Sequence, residues 1–250
     1  MKHLLLPILC CALLASCTPD STAIAPNEKA PIDSIALAAL TNGEPIPTAS
    51  ADTLTYLALG DSYTICESVD PALRWPVQLQ QRINMNAEEV VIAYPDIIAQ
   101  TGWTTTNLNN AMDEAGVDEL SYDLVSLLIG VNNQYQGLPL EAYEEEYAAL
   151  LQRAIAIAGG NAANVFVVSI PDYGYTPFGL PNQEEISTEL AAFNLSCQTI
   201  TEAAGVSWYN ITPISQQWPD VENLVAPDNL HPSGVQYGLW VDSFWEDVLE

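Results

Sequence analysis

The stretch YLALGDSYT at residues 56–64 joins an apolar run directly to a polar turn. The apolar residues have the composition of a buried strand, and Gly60, Asp61 and Ser62 follow them at once. Gly, Asp and Ser are common turn formers, so the junction can be a plain turn. It can also lift the Ser62 hydroxyl above the edge of a sheet as a nucleophile, if the chain supplies a base, an orienting acid and an oxyanion hole.

Apolar runs of strand length recur beyond this stretch. The predicted strands are Thr53–Leu59, Glu89–Ala93, Leu124–Ile129, Val165–Ile170 and Val206–Tyr209. Segments with helical spacing separate or follow them at Ala72–Met85, Thr104–Ala115, Leu140–Ala158, Glu184–Ala204 and about Pro232–Leu249. Alternating strands and helices are typical of a parallel sheet covered on both faces. The sequence therefore predicts a doubly wound, flavodoxin-like, three-layer α/β/α fold with a five-stranded parallel sheet. Such sheets place their sites at the carboxyl ends of the strands.

The first residues, MKHLLLPILCCALLAS, combine a short basic start with an apolar run too short to span a membrane. Residues 1–16 are therefore predicted to be a secretory signal peptide. LASC at 14–17 resembles a bacterial lipobox, which predicts acyl chains on Cys17 and a membrane anchor outside the cytoplasm, on the periplasmic or cell-surface side. An ordinary cleavable signal beside an incidental cysteine is the alternative.

A segment rich in Pro, Ala, Ser and Thr follows the signal and has no long periodic face. Residues 17–52 are therefore predicted to be a flexible tether. The remaining residues, 53–250, are enough for one globular domain with a sizeable core. We expect this domain to be a monomer.

The chain is strongly acidic, with 32 Asp and Glu residues, 5 Lys and Arg residues and a formal net charge of −27. Such a surface repels phosphate backbones, so we do not expect nucleic-acid binding. His231 is the only histidine beyond the signal peptide, and the His and Cys residues lack the spacing of a zinc site. A histidine base, if there is one, is therefore His231. Cys66 and Cys197 remain in the domain and could form a disulfide or stay separate.

Polar groups also follow other predicted strands. Gly102 precedes a helix, where its backbone can approach a ligand and its N–H can point at a developing negative charge. Asn132 lies just beyond the third strand, where its side-chain amide can donate to an oxyanion. Each can equally be an ordinary loop residue, and Asn133 is an equal rival to Asn132 by position alone.

Asp228 and His231 stand three residues apart in a turn before the last predicted helix. This spacing lets the carboxylate accept a hydrogen bond from the imidazole Nδ1 and leaves Nε2 free as a base. The alternative is a surface histidine near a helix start. That alternative is weakened because this histidine is the only one in the domain and has an acid at orienting distance.

Together and in this order, these segments resemble the four blocks of the SGNH (GDSL-type) hydrolase family. GDSYT at 60–64 matches its nucleophile block, Gly102 its second block, GVNN at 130–133 its Gly-x-Asn block and DNLHPS at 228–233 its Asp-x-x-His block. Two residues depart from the pattern. Tyr63 stands where leucine is frequent, and Asn133 stands where aspartate commonly follows the oxyanion asparagine. Neither position carries the chemistry, so the departures bear on substrate preference.

The resemblance implies a carboxylic ester hydrolase that forms an acyl-enzyme on Ser62. His231 is the implied base and Asp228 its partner, and the oxyanion is received by the N–H groups of Ser62 and Gly102 and the Asn132 amide. No metal or organic cofactor is implied. The expected substrate is a small ester with a short acyl or acetyl group: an acylated sugar, a lipid or a short acyl ester. A non-catalytic, ligand-binding envelope lipoprotein of the same fold is the alternative.

Two aromatic residues are expected on the substrate side. Trp103 adjoins the expected oxyanion hole, and Tyr173 lies in the long aromatic loop PDYGYTPFGLP at 171–181. A core or rim position is the alternative for Trp103, and a packed connection is the alternative for the loop.

Overall fold

The structure is a computed structural model and describes residues 53–87 and 90–249 of the chain. The predicted signal peptide (1–16), Cys17 and the predicted tether (17–52) lie outside the described residues. Within the described ranges, no helix combines the length and the apolar character needed to cross a membrane.

Five strands of the described domain form one parallel sheet. The strands within these ranges are β1 (Thr53–Leu54), β2 (Tyr56–Gly60), β3 (Val91–Ile92), β4 (Asp96–Ala99), β5 (Leu124–Leu128), β6 (Val165–Val168) and β7 (Ser207–Tyr209). The sheet runs in the order β4-β2-β5-β6-β7, and every pair in it is parallel. Counted along the chain, this is the flavodoxin-like strand order 2-1-3-4-5. The predicted fold class is confirmed.

Helices cover the sheet in two groups. In the described part of the chain they are α1 (Ser62–Ile65), α2 (Trp75–Asn86), α3 (Thr105–Ala115), α4 (Val131–Tyr135), α5 (Leu140–Ile157), α6 (Gln183–Ala203), α7 (Thr212–Ser215) and α8 (Gly234–Phe244). Helix α2 packs against α8, while α5 packs against both α3 and α6. These two groups form the outer layers of the three-layer fold.

Aromatic side chains join α2 and α8 to one face of the sheet. Trp75 of α2 lies edge-on to Phe166 of β6, with ring centroids 6.3 Å apart, and Phe244 of α8 lies 5.9 Å from the same ring. Successive side chains of a strand point to opposite faces, so Val165 and Val167 face the other helical layer. All five side chains are buried, and full burial of each stabilises the fold by about 1.5–3 kcal/mol.

The second strand of the sheet differs from the prediction. The predicted strand Glu89–Ala93 contains β3, but β3 pairs with β1 in a separate two-stranded sheet. The sheet strand is instead β4, which follows Pro95 and pairs with β2 at the edge. It begins with the exposed Asp96 and is mostly half-buried. An edge strand of this kind lacks the continuous apolar run on which the prediction relied.

The predicted first strand, Thr53–Leu59, is divided. Thr55 lies between β1 and β2, where its N–H and its hydroxyl both donate to the Asp123 carboxylate at 2.8 Å. The Thr55 carbonyl oxygen accepts from the Leu124 N–H at 3.0 Å. On either side of Thr55 the two halves join different sheets, because β1 pairs with β3 while β2 pairs with β4 and β5. Cys66 and Cys197, for which the sequence left pairing open, are both buried and free.

The long helices match the predicted positions, with differences at their ends. The sequence predicts a last helix over about Pro232–Leu249. In the structure α8 begins after Ser233, whose hydroxyl accepts from the N–H of Gln236, and it ends at Phe244. The short helices α1, α4 and α7 span only four or five residues each. They are too short to show a helical period in the sequence.

Candidate active site

The turn after β2 places Ser62 at the carboxyl edge of the sheet. β2 ends at Gly60, Asp61 caps helix α1, and Ser62 is the first residue of that helix. A Cβ atom at Gly60 would collide with the Thr64 hydroxyl and with the carbonyl oxygen of Leu128 on β5. Glycine is therefore needed here because the backbone runs too close to its neighbours for any side chain.

Asp61 is fully buried behind this turn. Its Oδ1 accepts a hydrogen bond from the N–H of Tyr63 at 3.0 Å, which fixes the start of α1. Burial raises the pKa of Asp61 to about 7, although backbone N–H groups partly stabilise its charged form. Asp61 does not line the cavity described below. These contacts give Asp61 a structural role in the turn.

Asp228 holds the imidazole of His231 within one short turn. The Asp228 Oδ2 lies 2.7 Å from the His231 Nδ1. Its Oδ1 accepts from the backbone N–H groups of Leu230 and His231, each at 2.9 Å. Asn229, which follows Asp228, has a left-handed backbone with φ of 66°. Asparagine tolerates this conformation better than most residues. The three-residue spacing thus gives an imidazole clamped by a carboxylate, as the sequence predicted.

The Asp228 carboxylate is stabilised in its charged form. Partial burial alone would raise its pKa, but hydrogen bonds from the Ser68 hydroxyl, from the Leu230 N–H and from His231 outweigh this effect. Together they lower the pKa of Asp228 to about 2. The carboxylate therefore stays charged at any ordinary assay pH, and a charged carboxylate stabilises a protonated imidazole. The Tyr63 ring lies edge-on to the His231 ring, with centroids 5.9 Å apart.

Gly102 lies on a loop, and Asn132 lies on the neighbouring helix α4 at the same edge of the sheet. Gly102 has a left-handed backbone with φ of 86°, and open space surrounds the position that a Cβ would take. The Asn132 Nδ2 donates to the carbonyl oxygen of Trp103 at 3.0 Å, which ties the loop to α4. An amide has two N–H groups, so Asn132 keeps a second donor for a ligand.

Asn133 has a different role from Asn132. Its side chain is buried, its Nδ2 donates to the Thr105 hydroxyl at 2.7 Å, and its Oδ1 accepts from the Thr105 N–H at 3.1 Å. Asn133 thus joins α4 to the first residue of α3. Only Asn132 lines the cavity, so the structure separates two residues that position alone left equal.

The polar groups share one cavity of about 230 Å³. Ser62, Gly102, Asn132 and His231 line it, together with Tyr63 and Thr101. The remaining lining is apolar or aromatic and comes from Val131, Tyr135, Tyr173, Phe178 and Leu230. Ser62 and His231 are only 5% and 7% exposed. The cavity therefore presents a shielded hydroxyl and imidazole at its polar end.

The two aromatic residues expected on the substrate side differ in position. Tyr173 lines the cavity, and its hydroxyl donates to the Gln134 Oε1 at 2.9 Å. Trp103 packs, partly buried, against the core and does not line the cavity. It contributes its carbonyl oxygen to Asn132 instead, so adjacency to Gly102 in sequence did not place its side chain there.

Among the lining residues that sequence reasoning missed are two aromatic ones, Tyr135 and Phe178. Their rings lie 6.3 Å apart, and each is 6.2–6.4 Å from the Tyr173 ring. Phe178 belongs to the aromatic loop at 171–181, so the loop itself was the available signal. Tyr135 ends the short helix α4, which carries no periodic pattern.

This arrangement can carry out acyl-transfer chemistry. A clamped imidazole can take a proton from a hydroxyl, and N–H donors beside the hydroxyl can stabilise an oxyanion. Among the described residues, no three His, Cys, Asp or Glu side chains are placed to hold a metal ion.

Comparison with known proteins gives one family and one fold. A profile of the GDSL-like lipase/acylhydrolase family matches residues 58–239, which include Ser62 and His231. No curated protein sequence matches the chain. The psychrotrophic esterase EstA from Pseudoalteromonas sp. has a similar structure, with a TM-score of 0.59 and 18% identity over 78% of this chain and 96% of that chain.

Two other solved structures show the same likeness. The lipase/acylhydrolase from Enterococcus faecalis has a TM-score of 0.60 and 20% identity over 79% of this chain and 96% of that chain. The acetylxylan esterase Axe2 from Geobacillus stearothermophilus has a TM-score of 0.57 and 17% identity over 78% of this chain and 94% of that chain. At these identities the likeness concerns the fold.

Proposed function

Because this chain belongs to the GDSL-like lipase/acylhydrolase family, the SGNH hydrolases, we propose that it is a serine ester hydrolase with an acyl-enzyme on Ser62. One observation carries the proposal. Ser62, His231, Gly102 and Asn132 line a single small cavity, and Asp228 clamps the imidazole from outside it. A cavity that served only to bind a ligand would not require this set of groups.

The first half of the reaction forms the acyl-enzyme. The His231 Nε2 takes the proton of the Ser62 hydroxyl, and the Oγ attacks the ester carbonyl carbon. The Asp228 carboxylate holds the Nδ1–H and stabilises the imidazolium that results. The bond from the carbonyl carbon to the leaving oxygen then breaks, and the alcohol departs with the proton from His231.

The second half releases the acid. Water attacks the acyl carbon while His231 takes its proton, and Ser62 leaves as a hydroxyl with that proton. In both halves the oxyanion is held by the N–H groups of Ser62 and Gly102 and by the free N–H of Asn132. Each such donor typically lowers the barrier by about 3–4 kcal/mol.

The cavity favours a short acyl group. Its volume of about 230 Å³ lies below the range of roughly 300–1,000 Å³ in which drug-sized ligands bind. Tyr135, Tyr173 and Phe178 form a packed aromatic wall on one side. Acetyl to butyryl groups therefore fit the proposal better than long acyl chains.

An acetylated sugar is the first natural substrate class to test. The small cavity supports an acetyl group, and an acetylxylan esterase is among the proteins of similar fold. Short acyl esters and lipids are the other substrate classes that the family resemblance allows.

The test is hydrolysis of p-nitrophenyl acetate, butyrate and octanoate by the full chain and by Ser62→Ala and His231→Ala. We expect turnover of the short esters, and a loss of at least about 10³-fold in both variants. A fluorophosphonate should label the parent at Ser62 and should not label Ser62→Ala. EDTA should leave the rates unchanged.

A matched control separates catalysis from folding. Ser196→Ala removes a serine hydroxyl that donates to the Glu144 carboxylate between α6 and α5, outside the cavity, and should leave turnover intact. A parent that neither turns over nor labels would overturn the proposal, as would a fully active Ser62→Ala.

We also propose that acyl chains on Cys17 anchor the enzyme outside the cytoplasm, as the lipobox-like LASC at 14–17 predicts. Expression in a bacterial host with labelled palmitate should place label on the parent and none on Cys17→Ser. Equal labelling of the parent and Cys17→Ser, or labelling of neither, would contradict this proposal. Either result would leave the proposed esterase activity unaffected.

A further inference from the structure

We propose that Ser68 is a positioning residue that holds the acid–base turn (Asp228–His231) against the nucleophile turn (Gly60–Ser62). This inference rests on the proposed function, because it assigns a role in that same reaction. The Ser68 hydroxyl donates to the Asp228 Oδ2 at 2.6 Å, and the same oxygen lies 2.7 Å from the His231 Nδ1.

Among the described residues, Ser68 is the one donor to this carboxylate from outside the turn. The other three hydrogen bonds of Asp228 involve Leu230 and His231, which belong to the same turn. Those bonds fix the imidazole relative to the carboxylate. They do not fix the turn relative to Ser62. The Ser68 contact does, because Ser68 lies six residues after the nucleophile and 160 residues before Asp228.

The Ser68 backbone is held in an unusual conformation. Its φ is 64°, in the left-handed region that residues other than glycine rarely adopt. The loop is fixed at both sides, because the Glu67 N–H donates to the Ser62 carbonyl at 3.0 Å and the Val69 N–H donates to the Cys66 carbonyl at 3.3 Å. This constraint aims the hydroxyl at Asp228 and ties it to the nucleophile helix.

The same loop also contacts the loop that carries the oxyanion glycine. The Thr101 hydroxyl, one residue before Gly102, donates to the Glu67 carboxylate at 2.6 Å. Glu67 and Ser68 follow the C-terminal end of α1. Glu67 contacts the oxyanion loop, and Ser68 contacts the acid–base turn. Three parts of the site that are distant in sequence meet at this loop.

Four variants of the full chain separate a positioning role from a structural one. Ser68→Ala removes the hydroxyl, and Ser68→Gly removes it while relieving the left-handed strain. Ser68→Thr keeps a hydroxyl but places a β-branched residue at a left-handed φ, which worsens the strain. Ser196→Ala removes a serine–carboxylate hydrogen bond elsewhere in the fold. The measurements are the melting temperature, kcat and KM with p-nitrophenyl acetate, and the pH profile of kcat/KM.

If Ser68 positions the turn, the order of the Ser68 variants by kcat should be the reverse of their order by melting temperature. We expect Ser68→Ala and Ser68→Gly to lose about 10-fold to 100-fold in kcat with little change in KM. Ser68→Thr should be the more active variant although it melts lower than Ser68→Gly. The acidic limb of the profile should move to higher pH in the Ala and Gly variants, because a carboxylate that loses a donor attracts the ring proton more strongly. Ser196→Ala should leave kcat and the limb unchanged.

The contrary result is equally defined. If activity follows the melting temperature, with Ser68→Gly the most active variant and the acidic limb of the pH profile unmoved, Ser68 is only a turn residue.

The downfield proton resonance of the His231 Nδ1–H tests the contact without turnover. It is assigned by its absence in His231→Gln. It should persist and shift in Ser68→Ala and Ser68→Gly, and stay near the parent position in Ser68→Thr. If the parent does not hydrolyse esters, the proposed function fails, while an unshifted resonance in all variants would overturn the role of Ser68.

Discussion

At the residue scale, the roles of neighbouring side chains depend on direction more than on residue type. Asn132 and Asn133 have the same amide and both follow β5, so the sequence alone could not rank them. Both lie on α4, and adjacent residues of a helix point about 100° apart. Asn132 therefore faces the cavity, while Asn133 is buried against Thr105.

Replacing each asparagine by alanine should separate the two roles. Asn132→Ala should lower kcat by about 10²–10³-fold, because it removes an oxyanion donor. It should lower the melting temperature less than Asn133→Ala does, because its contact with the Trp103 carbonyl is only partly buried. Asn133→Ala should lower the melting temperature, because it leaves the buried Thr105 N–H without its acceptor and removes the donor to the Thr105 hydroxyl. Steady-state kinetics and calorimetry on both variants make the test. If Asn133→Ala loses more kcat than Asn132→Ala, the assignment of the oxyanion donor to Asn132 is wrong.

Asp61 should make the stability of the fold depend on pH. Burial raises its folded pKa to about 7 from the ordinary aspartate value of 3.8, so between these values the folded chain holds a proton that the unfolded chain releases. Stability therefore falls as pH rises through this window, by about 1.4 kcal/mol per unit, and levels off above pH 7. Asp61→Asn lacks this titration. The unfolding free energy of the parent minus that of Asp61→Asn, from urea titrations at pH 4.5 to 8, should fall over this window.

The control for this prediction is Glu145→Gln, which removes an exposed carboxylate of α5. The difference between parent and Glu145→Gln should stay flat over the same range of pH. A flat difference for Asp61→Asn as well would show that Asp61 is not a buried acid that titrates near neutrality.

At the element scale, the sequence identified the strands that are buried on both sides, and of the two edge strands it identified β7 and misplaced β4. Strands β2, β5 and β6 are buried throughout and were found as apolar runs. The edge strand β4 is half-exposed, and its place was given to the more apolar segment that contains β3. The short helices α1 and α4 carry Ser62 and Asn132, so the site depends on elements that no periodic pattern reveals.

The aromatic loop at 171–181 and helix α4 should set the acyl length. Phe178→Ala opens the wall formed with Tyr135 and Tyr173. We expect the ratio of kcat/KM for p-nitrophenyl octanoate to that for acetate to rise about tenfold or more, since longer chains gain apolar contact. Met85→Ala, which truncates a side chain that is 73% exposed, should keep the parent ratio. If the ratio does not change in Phe178→Ala, the aromatic wall does not set the preferred acyl length.

At the scale of the whole molecule, three of the four segments that the sequence singled out converge because parallel strands end at one edge of the sheet. This rule holds without contact information, and it accounts for the predicted grouping of Ser62, Gly102 and Asn132. His231 follows no strand directly, because α7 lies between β7 and its turn. It does not give side-chain direction, so Trp103 was expected beside the cavity while Tyr135 and Phe178 were missed. It also gave no sign of Ser68, because that contact depends on a left-handed backbone at a serine.

The acidic charge of the chain should make its stability depend on salt. With 32 acidic residues against 5 basic ones, the charges repel one another in the folded state, and salt screens this repulsion. The melting temperature should rise between 0.01 M and 1 M NaCl, as the screening length falls from about 30 Å to about 3 Å. KCl should act like NaCl. A melting temperature that does not change with either salt would contradict this account.

The hydrogen bond between Ser68 and Asp228 spans 160 positions of the chain, and this has a consequence for synthesis. A ribosome makes the nucleophile turn well before the acid–base turn. On the proposed mechanism, a nascent chain that has not yet reached Asp228 carries Ser62, Gly102 and Asn132 without their base, and we expect it to cleave no ester. On the same mechanism, hydrolysis begins only when the segment from Asp228 through α8 has been made and has packed.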